Sequence, residues 1–352
     1  MTRHIFVIVF FLVSSIAFSQ NYSTFSGTIT LDIEKKEQLN YSDSSYFILH
    51  NITEEATKTI TFNNITTREK AIATCKAISE LLETKYGITY RETELLSEGL
   101  VHHFLDCNYF SIVFYHILKT VHGYNIALIT SPGHMFMRWY LPDGTYFNYE
   151  TTSKTVQEDS DYISMFGISK QALDNKLYMK PLTVNQILAT NYVDMANSFP
   201  IDSIKRRTEL IEKANSLDSL CLLVIYNQAT IKYFEKDFNT AITLLKRILS
   251  KDSSNYKTYQ RIAALYDRKD DFNSAIYYYT KSIQSNPNDP DGYIYRSISY
   301  LNVGKVSEAM DDFDLATERL NTLPFFKMLY NYFKMRELED RIMKEYLKQN
   351  GK

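Results

Sequence analysis

The sequence predicts an α+β domain followed by an all-α helical solenoid, and three observations carry that expectation. Four columns of residues recur at 34-residue intervals in the C-terminal third. Between residues 106 and 150 a helical segment gives way to short strand-like pieces separated by Pro-Gly and Asp-Gly turns. Gly and Pro are scarce, 10 and 7 of 352 residues, which suits helix-rich structure better than a turn-rich β-sandwich.

The repeat is read from residue columns. Ala241, Ala275 and Ala309 stand 34 apart. Phe238, Phe272 and Val306 precede them by three places, and Leu245, Tyr279 and Phe313 follow them by four. Ala229, Ala263 and Ser297 lie twelve places earlier, where small side chains let the two helices of a hairpin approach closely. Pro287 breaks the chain between the second and third hairpins. In these columns residues 220–322 resemble the tetratricopeptide-repeat (TPR) family. The register extends upstream to a degenerate hairpin over residues 185–216, with an irregular turn at Phe199-Pro200. Downstream it reaches a capping helix over 325–348 with Phe325, Leu329, Phe333 and Leu338 on or near one face. The resemblance implies a concave groove lined by the first helix of each hairpin. In this register the groove side includes Tyr226, Thr230, Tyr233, Gln260, Asp267, Ile294 and Ile298, a mixed surface suited to an extended peptide or a protein face. The alternative is that the array only buttresses the N-terminal domain.

Upstream, residues 21–65 have no clean period and receive no elements. Thr66-x-x-Glu69 has the form of a capping box and opens an amphipathic helix to about Lys85. A second helix is expected over 106–121, then strands over 124–130, 134–140 and 145–149. The turns between them are Ser131-Pro132-Gly133 and Pro142-Asp143-Gly144.

Residues 106–150 also carry candidate chemistry. Asp106 is a good N-cap, so Cys107 falls in the first helical turn, where free N–H groups and the helix dipole favour a thiolate. His134 begins a strand 27 residues later, and Glu150 ends the next strand after 16 more. Neighbouring antiparallel strands bring these two together, and the Cys helix packed on the sheet supplies the third member. A thiol, an imidazole and an orienting carboxylate are what nucleophilic acyl transfer requires. Asn148 and Asp143 are alternative orienters, and each member also has a purely structural reading. The pieces Asp106-Cys107, Pro132-Gly133-His134-Met135-Phe136, Asp143-Gly144 and Tyr149-Glu150-Thr151-Thr152 resemble the transglutaminase-like superfamily, whose layout is papain-like. They look most like its second core type, whose bacterial members often carry TPR-like helices behind the core. The resemblance covers about residues 65–180. It implies Cys107 as nucleophile, His134 as general base and Glu150 as the residue orienting His134. Glu150 departs from the family's usual Asp in an Asp-Pro-Thr context.

Other features bound the function. A net charge of −2 gives no field to recruit nucleic acid. Arg3 and His4, the apolar run 5–13 and Ala17-Phe18-Ser19 read as a secretory signal peptide over residues 1–19, hence an exported protein with no transmembrane segment in the mature chain. The expected division is then a transglutaminase-like domain over 20–182 and the TPR array over 183–352. The three cysteines, Cys75, Cys107 and Cys221, have no metal-ligand spacing and leave at least one thiol free unless it pairs with another chain. His102, His103, His116, His122 and His134 cluster in sequence without the acidic or Cys partners of a metal set, so no metal or other cofactor is expected. Two functions compete. One is a thiol enzyme acting on peptide or protein amides, with the array holding a partner. The other is an inactive scaffold of the same fold. His102 and His103 precede the Cys helix as possible second oxyanion contacts, beside the backbone N–H of Cys107.

Overall fold

The computed structural model describes residues 26–39, 42–320 and 325–349, so the expected leader lies outside the described residues. Two helices open the described chain, α1 (Gly27–Lys36) and α2 (Ser44–Thr59). α3 (Arg68–Glu80) continues as a π-helical turn over Leu81–Lys85. β1 (Thr89–Tyr90), α4 (Leu96–His102) and β2 (Phe104–Leu105) lead into α5 (Cys107–Tyr115), itself extended by π-helical residues His116–Val121. β3 (Ile126–Ser131), β4 (His134–Tyr140), β5 (Tyr146–Glu150) and β6 (Thr155–Gln157) form a four-stranded antiparallel meander in chain order. α6 (Asp159–Phe166) and α7 (Lys170–Asp174) follow.

The rest is helical. α8 (Val184–Asn197) and α9 (Ile204–Leu217) pair first. Three hairpins come next: α10 (Leu222–Phe234) with α11 (Phe238–Leu249), α12 (Tyr256–Asp267) with α13 (Phe272–Ser285), and α14 (Pro290–Asn302) with α15 (Val306–Leu320). α16 (Phe325–Gln349) closes the array. Ala241, Ala275, Ala309, Ala263 and Ser297 are fully buried and Ala229 nearly so, because each stands where two helices touch. The described hairpins therefore keep the 34-residue register. Of the apolar face expected on α16, Leu338 is buried, and Phe325, Leu329 and Phe333 lie outside the described side chains.

Two sequence expectations change. Residues 27–59, left without elements, are the two helices α1 and α2. Their buried stripe is partly polar: Thr30, Glu34 and Ser45 are fully buried beside Leu31, Leu49 and Ile52, which hides the helical period. The cap of α3 is Thr67, whose hydroxyl accepts from Lys70 N–H, rather than Thr66. The apolar core runs across residue 182. Ile187, Tyr192, Ile211 and Val224 join one apolar cluster with Leu31, Ile78, Ile112 and Trp139.

The chain also binds its own array. Between α6 and α8, Ser169 Oγ donates to Asp252 (2.8 Å) and Asn175 donates to the Lys251 carbonyl (2.8 Å). Gln171 Oε1 accepts from the N–H and hydroxyl of Ser253 (2.9 and 2.7 Å). Leu177 and Tyr178 pack into the apolar cluster of the first hairpins, and residues 179–182 return to the free edge of β3 through Met179 N–H to Thr130 and Leu182 N–H to Leu128. This strap ties the sheet to the array.

The Cys107 helix is positioned by a close approach. A Cβ on Gly99 of α4 would stand 2.4 Å from the Phe104 carbonyl oxygen and 2.9 Å from Leu105 Cδ2. Phe104-Leu105 runs directly into Asp106-Cys107. Gly99→Ala is therefore expected to cost about 2 kcal/mol through forced backbone movement, read as a lowered urea midpoint. An unchanged midpoint contradicts this packing account.

Candidate active site

Local rules place each member. Asp106 has extended backbone and accepts Tyr109 N–H at 2.9 Å, a side-chain N-cap that sets Cys107 as the first helical residue. One turn on, Ser111 lies on the same helix face as Cys107. Its hydroxyl donates to the Met135 carbonyl (3.3 Å) and meets Thr151 Oγ1 (3.2 Å). Met135 and Thr151 are the residues after His134 and Glu150. This pin therefore brings the start of α5 to the strand ends that carry them.

His134 owes its place to the turn before it. Pro132-Gly133 makes a two-residue connection with Gly133 at φ +70°, so Ser131 pairs directly with His134. The register Met137↔Tyr149 continues to set Glu150 diagonally across from His134 on one sheet face. His134 Nε2 lies 2.8 Å from Oε2 and 3.0 Å from Oε1 of Glu150. The side chains are 19% and 10% exposed, so water screens the pair weakly. Burial alone would lower the His134 pKa. Hydrogen bonding to Cys107 and to Glu150, and the negative charge of both, outweigh burial and push it up to about 10. Nε2 is taken by Glu150, and the Cys107 thiol itself points to Asn108 Oδ1 at 3.9 Å.

Aromatic rings wall the imidazole: Phe166 at 6.0 Å, Phe136 at 6.2 Å and Tyr162 at 6.4 Å between centroids. Tyr162 donates its hydroxyl to Glu150 Oε1. The thiol itself stays partly exposed, while Cys75 is buried and the other cysteine, Cys221, is half-buried at the foot of α10; all three are free thiols.

The surroundings of Cys107 are acidic. Burial raises Asp106 to about 6 and raises Asp194, on α8, well above its ordinary range. Asn108 donates to Asp194 at 3.3 Å. A carboxyl raised in the fold holds its proton more tightly than in the unfolded chain, so stability falls as pH rises from about 3.8 through 6. Asp106→Asn keeps the capping oxygen and removes the charge. It is expected to be more stable than the parent by about 1–2 kcal/mol at pH 8 and equal to it near pH 3.5. Urea unfolding at the two pH values checks this, and a gain of the same size at both would contradict it.

The alternative orienters are committed elsewhere. Asn148 accepts from Arg138 Nε (2.8 Å) and donates to Asp159 (2.7 Å), and Asp143 caps its own turn by accepting from Thr145. His102 ends α4, and His103, in left-handed backbone, meets the Tyr86 carbonyl through Nδ1 (2.8 Å); neither lies in a strand. His116 is buried, and burial lowers it to about 4. Among the described residues no group of three or more His, Cys, Asp or Glu is placed to hold a metal ion.

The residues expected to line the groove also make internal contacts. Tyr226 bonds to Asn255 (3.1 Å) and to Thr258, and Gln260 donates to Asp289 (2.6 Å). Asp267 accepts from Tyr279 and Ser299, and Ile294 is 1% exposed. Tyr226, Gln260 and Asp267 thus reach across to other helices of the array while staying half-buried, and Ile294 fills the core. Thr230 turns its hydroxyl back to the Tyr226 carbonyl, Tyr233 packs beside Phe238, and Ile298 packs on the third-hairpin core; all three are half-buried. The missed participant is Tyr162. The Glu158/Asp161 capping box that starts its helix was the available signal.

No family model matches this chain, and no curated protein matches it. Solved structures are similar over about a third of it. "MamA 41-end from Desulfovibrio magneticus RS-1" is 14% identical, covering 39% of this chain and 76% of that one, with a TM-score of 0.35. The Yersinia enterocolitica type III secretion chaperone SycD, in complex with a peptide of the translocator YopD, is 18% identical, covering 36% and 92%, with a TM-score of 0.31. The TPR2B-domain:pHsp70 complex of yeast Sti1 is 18% identical, covering 34% and 91%, with a TM-score of 0.31.

Proposed function

We propose that this chain is an exported thiol enzyme of the transglutaminase-like type, acting on amide bonds of peptides or proteins through Cys107, His134 and Glu150. The observation that carries the reading is the His134 ring held on the Glu150 carboxylate at 2.8 Å, with the start of α5 pinned beside both through Ser111. His134 takes the Cys107 thiol proton and Sγ attacks the amide carbonyl carbon, with the Cys107 N–H as one oxyanion donor. The C–N bond breaks as His134 gives its proton to the leaving amine. Water or a second amine then attacks the thioester carbon, His134 takes the proton from that nucleophile, and the C–S bond breaks to free Cys107. Glu150 holds the ring and stabilises the imidazolium.

Iodoacetamide labelling of the full chain at neutral pH, read by mass spectrometry, tests the reading. Cys107 is expected to label faster than free cysteine, and at least tenfold more slowly in His134→Ala. Equal rates in parent and variant would sink it. The array is proposed to hold the protein or peptide partner with what its internal joints leave accessible, Thr230, Tyr233 and Ile298 among them. A second reading, in which the array only buttresses the N-terminal domain, is favoured by one feature: the 169–178 strap already occupies part of the first two hairpins.

A further inference from the structure

We propose that Tyr162 is a positioning residue of this site, fixing the Glu150 carboxylate against His134 through its hydroxyl. The consequence for catalysis rests on the acyl-transfer reading; the positioning itself does not.

Glu has one more rotatable bond than Asp, so a Glu in the orienting place needs an outside restraint to hold one geometry. Tyr162 supplies it. Its hydroxyl donates to Glu150 Oε1, while both carboxylate oxygens face His134 Nε2. The phenol cannot drift, because it is 3% exposed and stacks on Phe136 at 3.9 Å and 9°. Its helix is in turn clamped to the sheet. Asp159, three residues before it, accepts from Arg138 (2.5 Å), Asn148 (2.7 Å) and Tyr146 (2.9 Å). Arg138 and Asn148 lie opposite each other on the face that carries His134 and Glu150. The result is a continuous relay from sheet to Asp159, to Tyr162, to Glu150, to His134.

The titratable and charged groups around the pair are few. Glu150 faces His134 from β5, Cys107 from α5 and Tyr162 from α6; Asp159 and Arg138 complete the surroundings of Tyr162. Tyr162→Phe deletes only the hydroxyl and keeps the stacked ring.

The test is an NMR titration of the full chain with isotope-labelled histidine, the His134 signal being assigned by its loss in His134→Gln. In Tyr162→Phe the freed carboxylate spends less time on the ring, and the His134 midpoint is expected to fall by about one pH unit. Adding Tyr162→Phe to Glu150→Gln is expected to shift it no further, since the carboxylate it positioned is gone. An unchanged or raised midpoint in Tyr162→Phe overturns the proposal, and so does an equal shift in both backgrounds. Should Tyr162→Phe fail to fold, Glu150→Asp reads the same bond from its other end. Its shortened arm loses the hydroxyl and is expected to give the same fall; no fall overturns the proposal. If the midpoint falls as expected while Cys107 labelling ignores His134, the acyl-transfer reading fails and the role of Tyr162 stands.

Discussion

Glu150→Ala is expected to destabilise the fold by about 3 kcal/mol at pH 7, since it leaves a buried imidazolium and the Tyr162 hydroxyl without their shared acceptor. The size follows from low exposure, because neither partner regains much water when the other is lost. The pH dependence has a definite sign. His134 is raised from about 6.5 to about 10 in the fold. Its contribution is therefore complete below 6.5 and is lost as pH rises through 10. Urea unfolding of parent and variant is expected to show a gap that is widest near pH 6 and narrows by pH 10. A gap independent of pH would mean that the cost is packing, not charge.

Asp312→Ala is expected to cost about 3–5 kcal/mol and to loosen the third hairpin. Arg296 donates to Asp312 through Nε (2.8 Å) and Nη2 (2.7 Å), and through Nη1 to Thr280 of the second hairpin (2.9 Å). The two side chains are 15% and 4% exposed, so removal of the carboxylate strands a guanidinium inside the array. Replacing both partners by Leu and Met is expected to cost less than the single change, because no charge is then left buried. Amide hydrogen exchange over residues 290–320 reads both cases. Equal protection in the Asp312→Ala variant and the parent would show that the pair carries no such burden.

What was legible in the sequence follows from how each part is stabilised. The hairpins are held by small residues at helix crossings and large ones between them, a pattern local sequence repeats openly, as at Ala241, Ala275 and Ala309. β4 was readable because Pro132-Gly133 fixes its start and Pro142-Asp143-Gly144 follows its end; residues 135–139 are all buried, so no alternation marks its faces. α1 was not, because its buried stripe contains Glu34, whose carboxylate accepts Leu96 N–H (2.7 Å) and Ser97 N–H (3.0 Å) at the start of α4. A charge that is satisfied only by a helix end 62 residues away leaves no local trace. The internal bonds of the expected groove residues were hidden for a related reason. Spacing gives the face a residue occupies, but not whether Tyr226, Gln260 or Asp267 spends its polar atoms on the next hairpin. In the site, His134 and Glu150 could be paired from strand order alone. Tyr162 could not, since α6 reaches them only through the fold.

In the proposed function Cys107 and His134 act as one nucleophilic unit. Its most direct test is reaction of the full chain with p-nitrophenyl acetate, following nitrophenol release and intact mass together. The account predicts a burst that places one acetyl group on Cys107, followed by slower turnover, with the burst lost in Cys107→Ala and strongly slowed in His134→Ala. Acetylation spread over other residues, with no burst and no difference between parent and Cys107→Ala, would contradict it.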